Sequence, residues 1–287
     1  MAYSIGIVGA GTMGAGIAHV AALQGSNVYL YDTSEELIRR GVAKITYELK
    51  KSVDRSKLSL EAMDSALKKI RAKTSMSNLD SCDIIIEAVT EDLRVKKDLF
   101  KKLDTIAHHT TILATNTSSF SITSIAGVTS KPQRVVGMHF FNPVHLMPLV
   151  EIIEGAKTSD ETILKTIKIA ETLGKKTVRV KDTPGFIVNR IARPFYGEAL
   201  KILGEGVANV EEIDKILREE GNFKMGPFEL MDLIGIDVNY AVTQSIYEQF
   251  FHDPRYRPHP IQKMKVDSGE LGKKTKKGFY NYPDEIK

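Results

Sequence analysis

The hexapeptide Gly9-Ala10-Gly11-Thr12-Met13-Gly14 constrains this chain more than any other stretch. It follows directly on a short apolar run, Ile5-Gly6-Ile7-Val8, that reads as a buried strand. After it, a helical pattern runs from Ala15 to Leu23 and closes at Gly25, and a second strand, Val28-Tyr29-Leu30-Tyr31, ends on Asp32. A bare Gly-x-Gly-x-x-Gly is weak evidence. Set between a strand and a helix, with an acidic residue about 20 positions on, it specifies a dinucleotide-binding turn. The glycines allow the tight turn, the approach of backbone to a pyrophosphate and close helix–strand packing. The helix N-terminus supplies free amides and a positive dipole for the phosphates. Asp32 at a strand end would accept hydrogen bonds from the adenosine ribose and repel a 2′-phosphate, which favours NAD over NADP.

Strands alternating with helices continue from there. Asp83-Ile84-Ile85-Ile86-Glu87-Ala88-Val89 reads as a strand with Glu91 past its carboxyl end, followed by a helix from about Asp92 to Ala107. Thr111–Thr115 is a further strand, ending in Asn116-Thr117-Ser118-Ser119. Asn116 and Ser118 are placed to hydrogen-bond a ligand at the sheet's carboxyl edge; turn-forming or helix-capping duty would explain the same residues. Helix 160–173 and strand 176–181 complete an α/β domain, a doubly wound, Rossmann-type, mostly parallel sheet over residues 1–183. Asp182-Thr183-Pro184-Gly185 is the domain boundary. Beyond it, residues 184–287 read as a smaller all-helical domain, with helices over 186–203, 210–220, 227–234 and 238–251.

Between Asp32 and that third strand the pattern is helical for most of the way from Ser34 to Lys73, with a break around Ser56–Ser59, which makes a helical hairpin insertion. Arg39, Arg40, Lys44, Lys50, Lys51, Arg55 and Lys57 make its first part basic. Such a run is either a solvated helix face or a docking surface for a phosphate-bearing group.

The chemistry concentrates in Val135-Val136-Gly137-Met138-His139-Phe140-Phe141-Asn142-Pro143 and the run Leu149–Ile153 that follows. The first is a buried strand that delivers His139 to the carboxyl edge. Glu151 lies inside an oily segment, where a lone carboxylate is costly, so it needs a partner. If the chain folds back at Pro143, that partner is the imidazole of His139. The alternative is a core histidine satisfied by a backbone carbonyl and an edge-strand glutamate facing water. Asn189 and Arg190 fall in the first turns of the helical domain, near the seam, where they would otherwise be ordinary helix-surface residues.

Composition narrows the field. The chain has 287 residues, 42% hydrophobic and 26% charged, as expected of a soluble globular protein of about two domains. No run approaches the ~18 apolar residues of a membrane span. A net charge of +4 is too small to imply a nucleic-acid partner. The strand pattern begins by Ser4, leaving no room for a signal peptide, and the single cysteine, Cys82, reads as a buried inert thiol, which together suggest a reducing cytoplasm.

Several of these stretches resemble the short-chain L-3-hydroxyacyl-CoA dehydrogenases, especially the bacterial 3-hydroxybutyryl-CoA dehydrogenases. The similarity spans the chain: Gly9–Gly14, Asn116–Ser119, His139–Pro143, Asp182–Arg190 and Met225-Gly226-Pro227-Phe228-Glu229-Leu230. The resemblance implies an NAD-dependent oxidoreductase with His139 as acid/base, Glu151 as its partner, and Ser118 and Asn189 around the substrate oxygen. For the cofactor it implies the glycine loop, Asp32, Glu91, Lys96, Asn116, Ser118, Asn142 and Lys274. For the CoA of an acyl-CoA substrate it points to the hairpin after Asp32, hence Lys51 and Arg55, and it implies a homodimer joined through the helical domain. Relatives acting on a free hydroxy or sugar acid, such as L-gulonate 3-dehydrogenase, tend to carry a different motif after the histidine. A crystallin-like non-catalytic protein would not need Ser118, His139, Glu151 and Asn189 together. Three positions depart from the family pattern: His145 and Pro148 stand where many members carry Pro and Lys, and Lys276 replaces the first glycine of a Gly-x-Gly-Phe-Tyr tail. If that glycine takes positive φ, Lys276 must adopt a strained or altered turn.

Overall fold

The computed structural model describes residues 2–76 and 78–283; Met1, Ser77 and 284–287, which fall within the two expected domains, lie outside the described residues. The chain divides into two compact units, Met1–Thr183 and Pro184–Lys287.

The first unit is one eight-stranded sheet with helices. Its strands are β1 (Ser4–Val8), β2 (Asn27–Tyr31), β3 (Ile70–Lys73), β4 (Ile84–Glu87), β5 (Ile112–Thr115), β6 (Val135–Phe140), β7 (Leu149–Glu154) and β8 (Lys176–Lys181). They run in the order β3-β2-β1-β4-β5-β6-β7-β8. Neighbours from β3 to β6 are parallel; β7 turns back antiparallel to β6, and β8 runs parallel to β7. The central strands are buried along their whole length, Ile84, Ile85 and Ile86 being fully inaccessible. That double-sided burial is why these segments are continuous apolar runs rather than alternating ones.

Helix α1 (Thr12–Leu23) follows β1, and α2 (Glu35–Asp54) and α3 (Leu60–Lys68) bridge β2 and β3. The break in this hairpin is local chemistry. Ser56 adopts φ +55°, which ends α2, and the Ser59 hydroxyl accepts from Ala62 N–H to start α3. Reading helix as far as Lys73 needs correction, since Ile70–Lys73 is the sheet's edge strand. Its four residues alternate half-buried and exposed, with Arg71 and Lys73 outward. A strand that short, behind the helix-forming Ala-Leu-Lys-Lys run, carries little period-2 signal. Helices α4 (Leu93–Ile106), α5 (Ile122–Ala126) and α6 (Asp160–Thr172) complete the unit. Asp182 caps α5, its carboxylate accepting from Ile122 N, Thr123 N and the Ser121 hydroxyl at 2.8–3.1 Å. Cys82 is 4% exposed, and burial, followed by the charges of Asp83 and Asp80, pushes its thiol up to about 12.

The second unit contains α7 (Val188–Gly204), α8 (Val210–Glu219), α9 (Pro227–Ile234), α10 (Ile236–Gln249) and α11 (Pro260–Asp267). The last of these was not anticipated: its Pro-Ile-Gln-Lys-Met-Lys-Val-Asp sequence has a weak apolar stripe, and only a proline at its first position marks it. Two fully buried carboxylates organise the unit. Asp214 accepts from Phe228 N, Glu229 N and the Tyr280 hydroxyl; Asp232 accepts from Phe279 N, Tyr280 N and the Tyr282 hydroxyl. They tie the C-terminal tail to α8 and α9. The turn leading into that tail has Lys276 at φ +59°, ψ 5°, the left-handed conformation the family's glycine would take freely.

Ile86 sits at the centre of the sheet with no exposed surface. Ile86→Ala should lower stability by ~2–5 kcal/mol, because the close-packed strands on either side cannot collapse into the space left. Urea unfolding should show a lower midpoint at unchanged slope.

Candidate active site

The reversal between β6 and β7 sets the chemistry. In their antiparallel register His139 pairs directly with Glu151. The two side chains meet at 2.8 Å, His139 Nδ1 to Glu151 Oε2, with 7% and 0% of their surfaces exposed. An ionised carboxylate can only accept, so Nδ1 carries the hydrogen and Nε2 is the acceptor nitrogen of the neutral ring. The Phe141 ring lies against the imidazole, centroids 4.5 Å apart.

One strand over, Asn116 is fixed by its neighbour: its Oδ1 accepts from Phe140 N–H at 2.9 Å, binding the end of β5 to the end of β6. The loop after it is gathered by Glu91. Glu91 Oε1 accepts from Thr117 Oγ1 (2.6 Å), Ser118 N (3.0 Å), Ser119 Oγ (3.2 Å) and Ser118 Oγ (3.4 Å). Burial alone would raise the Glu91 carboxyl. The Lys96 ammonium and the donors of Thr117 and Ser118 outweigh it and hold the group below the usual carboxylate range.

Lys96 is 1% exposed and lies between two carboxylates, 2.7 Å from Glu87 Oε1 and 3.1 Å from Glu91 Oε2. Its side chain therefore reaches the site through Glu91. Glu87, fully buried, also accepts from Thr115 Oγ1 and Val89 N. Sequence reasoning passed over Glu87, Thr115 and Thr117. The available signal was a glutamate ending the run Ile84-Ile85-Ile86, and a lysine on the buried stripe of α4 with Leu99, Phe100 and Leu103.

The dinucleotide edge fits the cofactor its sequence suggests. Gly9 has φ +106°, and a Cβ there would come within 2.5 Å of the Ala88 carbonyl oxygen. At Gly14 a Cβ would lie 1.7 Å from the Gly9 carbonyl. At Gly11 it would meet no protein atom within 4 Å, so the loop opens where a pyrophosphate would rest. No side chain caps the start of α1, in contrast to α2, α3 and α4, which leaves the amides of Thr12, Met13 and Gly14 to a ligand. Asp32 is drawn to this loop: its Oδ2 accepts from Ala10 N at 2.7 Å and its Oδ1 from Thr33 N at 2.7 Å.

Asn142, Pro143, Val144, His145 and Leu146 form one wall of a cleft of about 310 Å³, opposite Thr12, Gly16 and His19 of α1 and Lys44, Glu48 and Lys51 of α2. Of the two hairpin cations expected to meet a phosphate-bearing group, Lys51 lines this cleft. Arg55 is exposed at the α2 C-cap and does not. Asn189 and Lys274 belong to the second unit. Asn189 lies in the first turn of α7, just after Gly185 and Phe186, both of which have positive φ. Lys274 pairs with Asp237 at 2.5–2.6 Å.

Removing the cation from the Glu87–Glu91 cluster tests its structural weight. Lys96→Met should destabilise the protein by ~3–5 kcal/mol by leaving a buried carboxylate unpaired. The loss should shrink as pH falls and the carboxyls protonate, which urea unfolding across pH would reveal.

Residues 4–183 match the family described as 3-hydroxyacyl-CoA dehydrogenase, NAD binding domain, and residues 185–282 its C-terminal domain. The chain is 45% identical over 282 residues to the 3-hydroxyadipyl-CoA dehydrogenase of Escherichia coli, covering 98% of this chain and 59% of that protein. It thus spans less than two thirds of that relative. It is 41% identical to a probable 3-hydroxybutyryl-CoA dehydrogenase of Bacillus subtilis, covering 97% of each. Among solved structures, (S)-3-hydroxybutyryl-CoA dehydrogenase from Ralstonia eutropha superposes with a TM-score of 0.95 at 44% identity, over 99% of this chain and 100% of that one. With nearly the whole of both units matched, the chain belongs to the 3-hydroxyacyl-CoA dehydrogenase family.

Proposed function

We propose that this protein interconverts (S)-3-hydroxybutyryl-CoA and acetoacetyl-CoA with NAD(H), and that His139 is its acid/base. The observation that carries the reading is the buried His139–Glu151 contact at the carboxyl end of β6. The names of the bacterial relatives support the substrate.

In the oxidative direction Nε2 of the neutral imidazole takes the proton of the 3-hydroxyl. Glu151 keeps the hydrogen on Nδ1 and stabilises the imidazolium that forms, as a carboxylate does beside histidine in other catalytic sites. The glycine loop and Asp32 would hold NAD, which would supply the acceptor for the hydride leaving C3. In reduction the imidazolium returns its proton to the new alkoxide. Ser118 and Asn189 are assigned to the substrate oxygen; Ser118 and Asn142 would border the nicotinamide, with Asn116 also on the cofactor side. Glu91, held by Lys96, shapes the loop that would border the cofactor, and Lys274 is assigned to the same cofactor. Asp32 takes the adenosine ribose, while Lys51 and Arg55 meet the phosphates of CoA.

We further infer a cytoplasmic homodimer joined through the helical unit. Val207, Ile191 and Phe251 of that unit are 71%, 68% and 91% exposed, apolar surface of the kind a second subunit covers. No helix among the described residues is long and apolar enough to cross a membrane.

NADH oxidation with acetoacetyl-CoA, beside free acetoacetate, tests the assignment. His139→Gln should lower kcat by about 10²–10⁴ with NADH affinity nearly intact; unchanged turnover would reject the role. NADH should be preferred to NADPH, and Asp32→Ala should bring the two kcat/KM values together by removing the charge that repels a 2′-phosphate. A wild-type preference for NADPH would overturn the cofactor assignment.

A further inference from the structure

The cleft between α1, α2 and the Asn142–Leu146 turn contains a side chain that the fold leaves without a polar role. His19 is 4% exposed, on a helix whose other buried residues are Ala, Ile, Val and Gly. No hydrogen bond to its ring occurs among the described residues, an uncommon state for a buried imidazole. It lines the cleft and stacks on His145, centroids 5.3 Å apart and planes at 27°. His145 Nε2 in turn lies 3.7 Å from Glu48 Oε2 on α2. The turn that carries His145 is clamped from beneath by Lys175, whose ammonium donates to the carbonyls of Val144 (2.5 Å) and Met147 (2.9 Å). The arrangement is built, not adventitious: a fixed turn sets one imidazole over another at the floor of an open cleft.

We propose that His19 is a specificity residue for the acyl-thioester, hydrogen-bonding the uncharged, amide-bearing arm that links the thioester to the nucleotide of CoA, with His145 and Glu48 holding it in place. This rests on the reading of the protein as an acyl-CoA dehydrogenase. The chemistry selects that part of the ligand. Burial, and next the charge of His145, push the His19 imidazole down to about 4, against a smaller opposing pull from Glu48. At neutral pH it is therefore an uncharged ring with one donor and one acceptor, matched to an amide or hydroxyl. Glu48, facing the same space, repels phosphate. Lys44 donates to the Thr12 hydroxyl at 3.3 Å, and Lys51 is left as the cleft's remaining lysine for the phosphates beyond the arm. The position suits the path of the substrate as well, because the cleft wall starts at Asn142, three residues beyond His139.

The test compares three acetoacetyl thioesters of decreasing length: CoA, pantetheine and S-ethyl. His19→Leu should raise KM about tenfold for the CoA and pantetheine thioesters, the loss of roughly one neutral hydrogen bond. It should leave kcat, KM for NADH and KM for the S-ethyl ester unchanged. His19→Gln, which restores a donor and an acceptor, should recover most of the loss. Equal effects on all three esters, or none on any, would overturn the assignment. An effect on the CoA ester alone would move His19 to the nucleotide and overturn it too. Should the leucine variant fold poorly, imidazole ¹⁵N shifts in the unmutated protein decide: pantetheine should move the His19 resonance, and its absence of response would reject the proposal. Failure of the underlying reading looks different, since the unmutated protein would then reduce none of the three esters.

Discussion

A carboxylate with no access to water, fixed beside one imidazole, is the constraint on which the catalytic edge of this sheet depends. Glu151 cannot be solvated where it lies, so its stability requires a donor, and the antiparallel register supplies His139 Nδ1. The requirement runs both ways. A histidine ring with Nδ1 committed has one tautomer and one orientation, with Nε2 as the basic atom. A parallel neighbour can also face a strand-end residue in register, as Thr115 faces Glu87 across β4 and β5, but it needs a crossover connection of roughly a dozen or more residues before the strand begins. The antiparallel return brings Glu151 opposite His139 with a sequence separation of only 12. The single change of direction in the sheet is therefore what brings the pair together over so short a span.

The same logic, applied to a cation, organises the neighbouring strands. A buried ammonium is tolerated at Lys96 only because Glu87 and Glu91 both reach it. Two carboxylates against one ammonium leave a negative excess, which Thr115, Thr117, Ser118 and Ser119 stabilise by donating to it. The outcome is a loop at the end of β5 whose hydroxyls already point at a protein acceptor. Ser118 thus has a defined orientation without a ligand, which lowers the cost of ordering it when one binds.

Those features that depend on a short span of residues were legible from sequence. The strand–glycine loop–helix unit and Asp32 could be read because each demand is local: positive φ at Gly9, no room for a Cβ at Gly14, an acidic strand end. The His139–Glu151 pairing was legible for a different reason, since a charge inside an oily run must be answered nearby. Glu87 and Lys96 obey the same rule, yet their partnership went unread because each lies within a pattern, strand or amphipathic helix, that already accounts for its neighbours. β3 was lost to propensity: Ile70-Arg71-Ala72-Lys73 becomes a strand through pairing with β2, a contact 42 residues away in sequence between Tyr29 and Arg71. His19 and His145 meet across a turn whose carbonyls Lys175 binds, and nothing in the spacing of 19, 145 and 175 announces it.

Hydride transfer demands that a cofactor ring, a substrate carbon and an acid/base sit within a few tenths of an ångström of a productive arrangement. In this unit the groups that must be aligned arise from six different strands, so alignment depends on what binds one strand end to the next. The links are continuous. Asp32 joins the end of β2 to the loop after β1 through Ala10 N–H. That loop packs on the end of β4, with Gly9 too close to the Ala88 carbonyl for any side chain. Glu87 and Glu91 join β4 to β5, Asn116 joins β5 to β6 through Phe140 N–H, and Glu151 joins β7 to His139. Every link has an acidic or amide oxygen, or a glycine, in a position where a different residue type would break it. The sheet's carboxyl edge consequently behaves as one preorganised surface rather than as a set of independent loops.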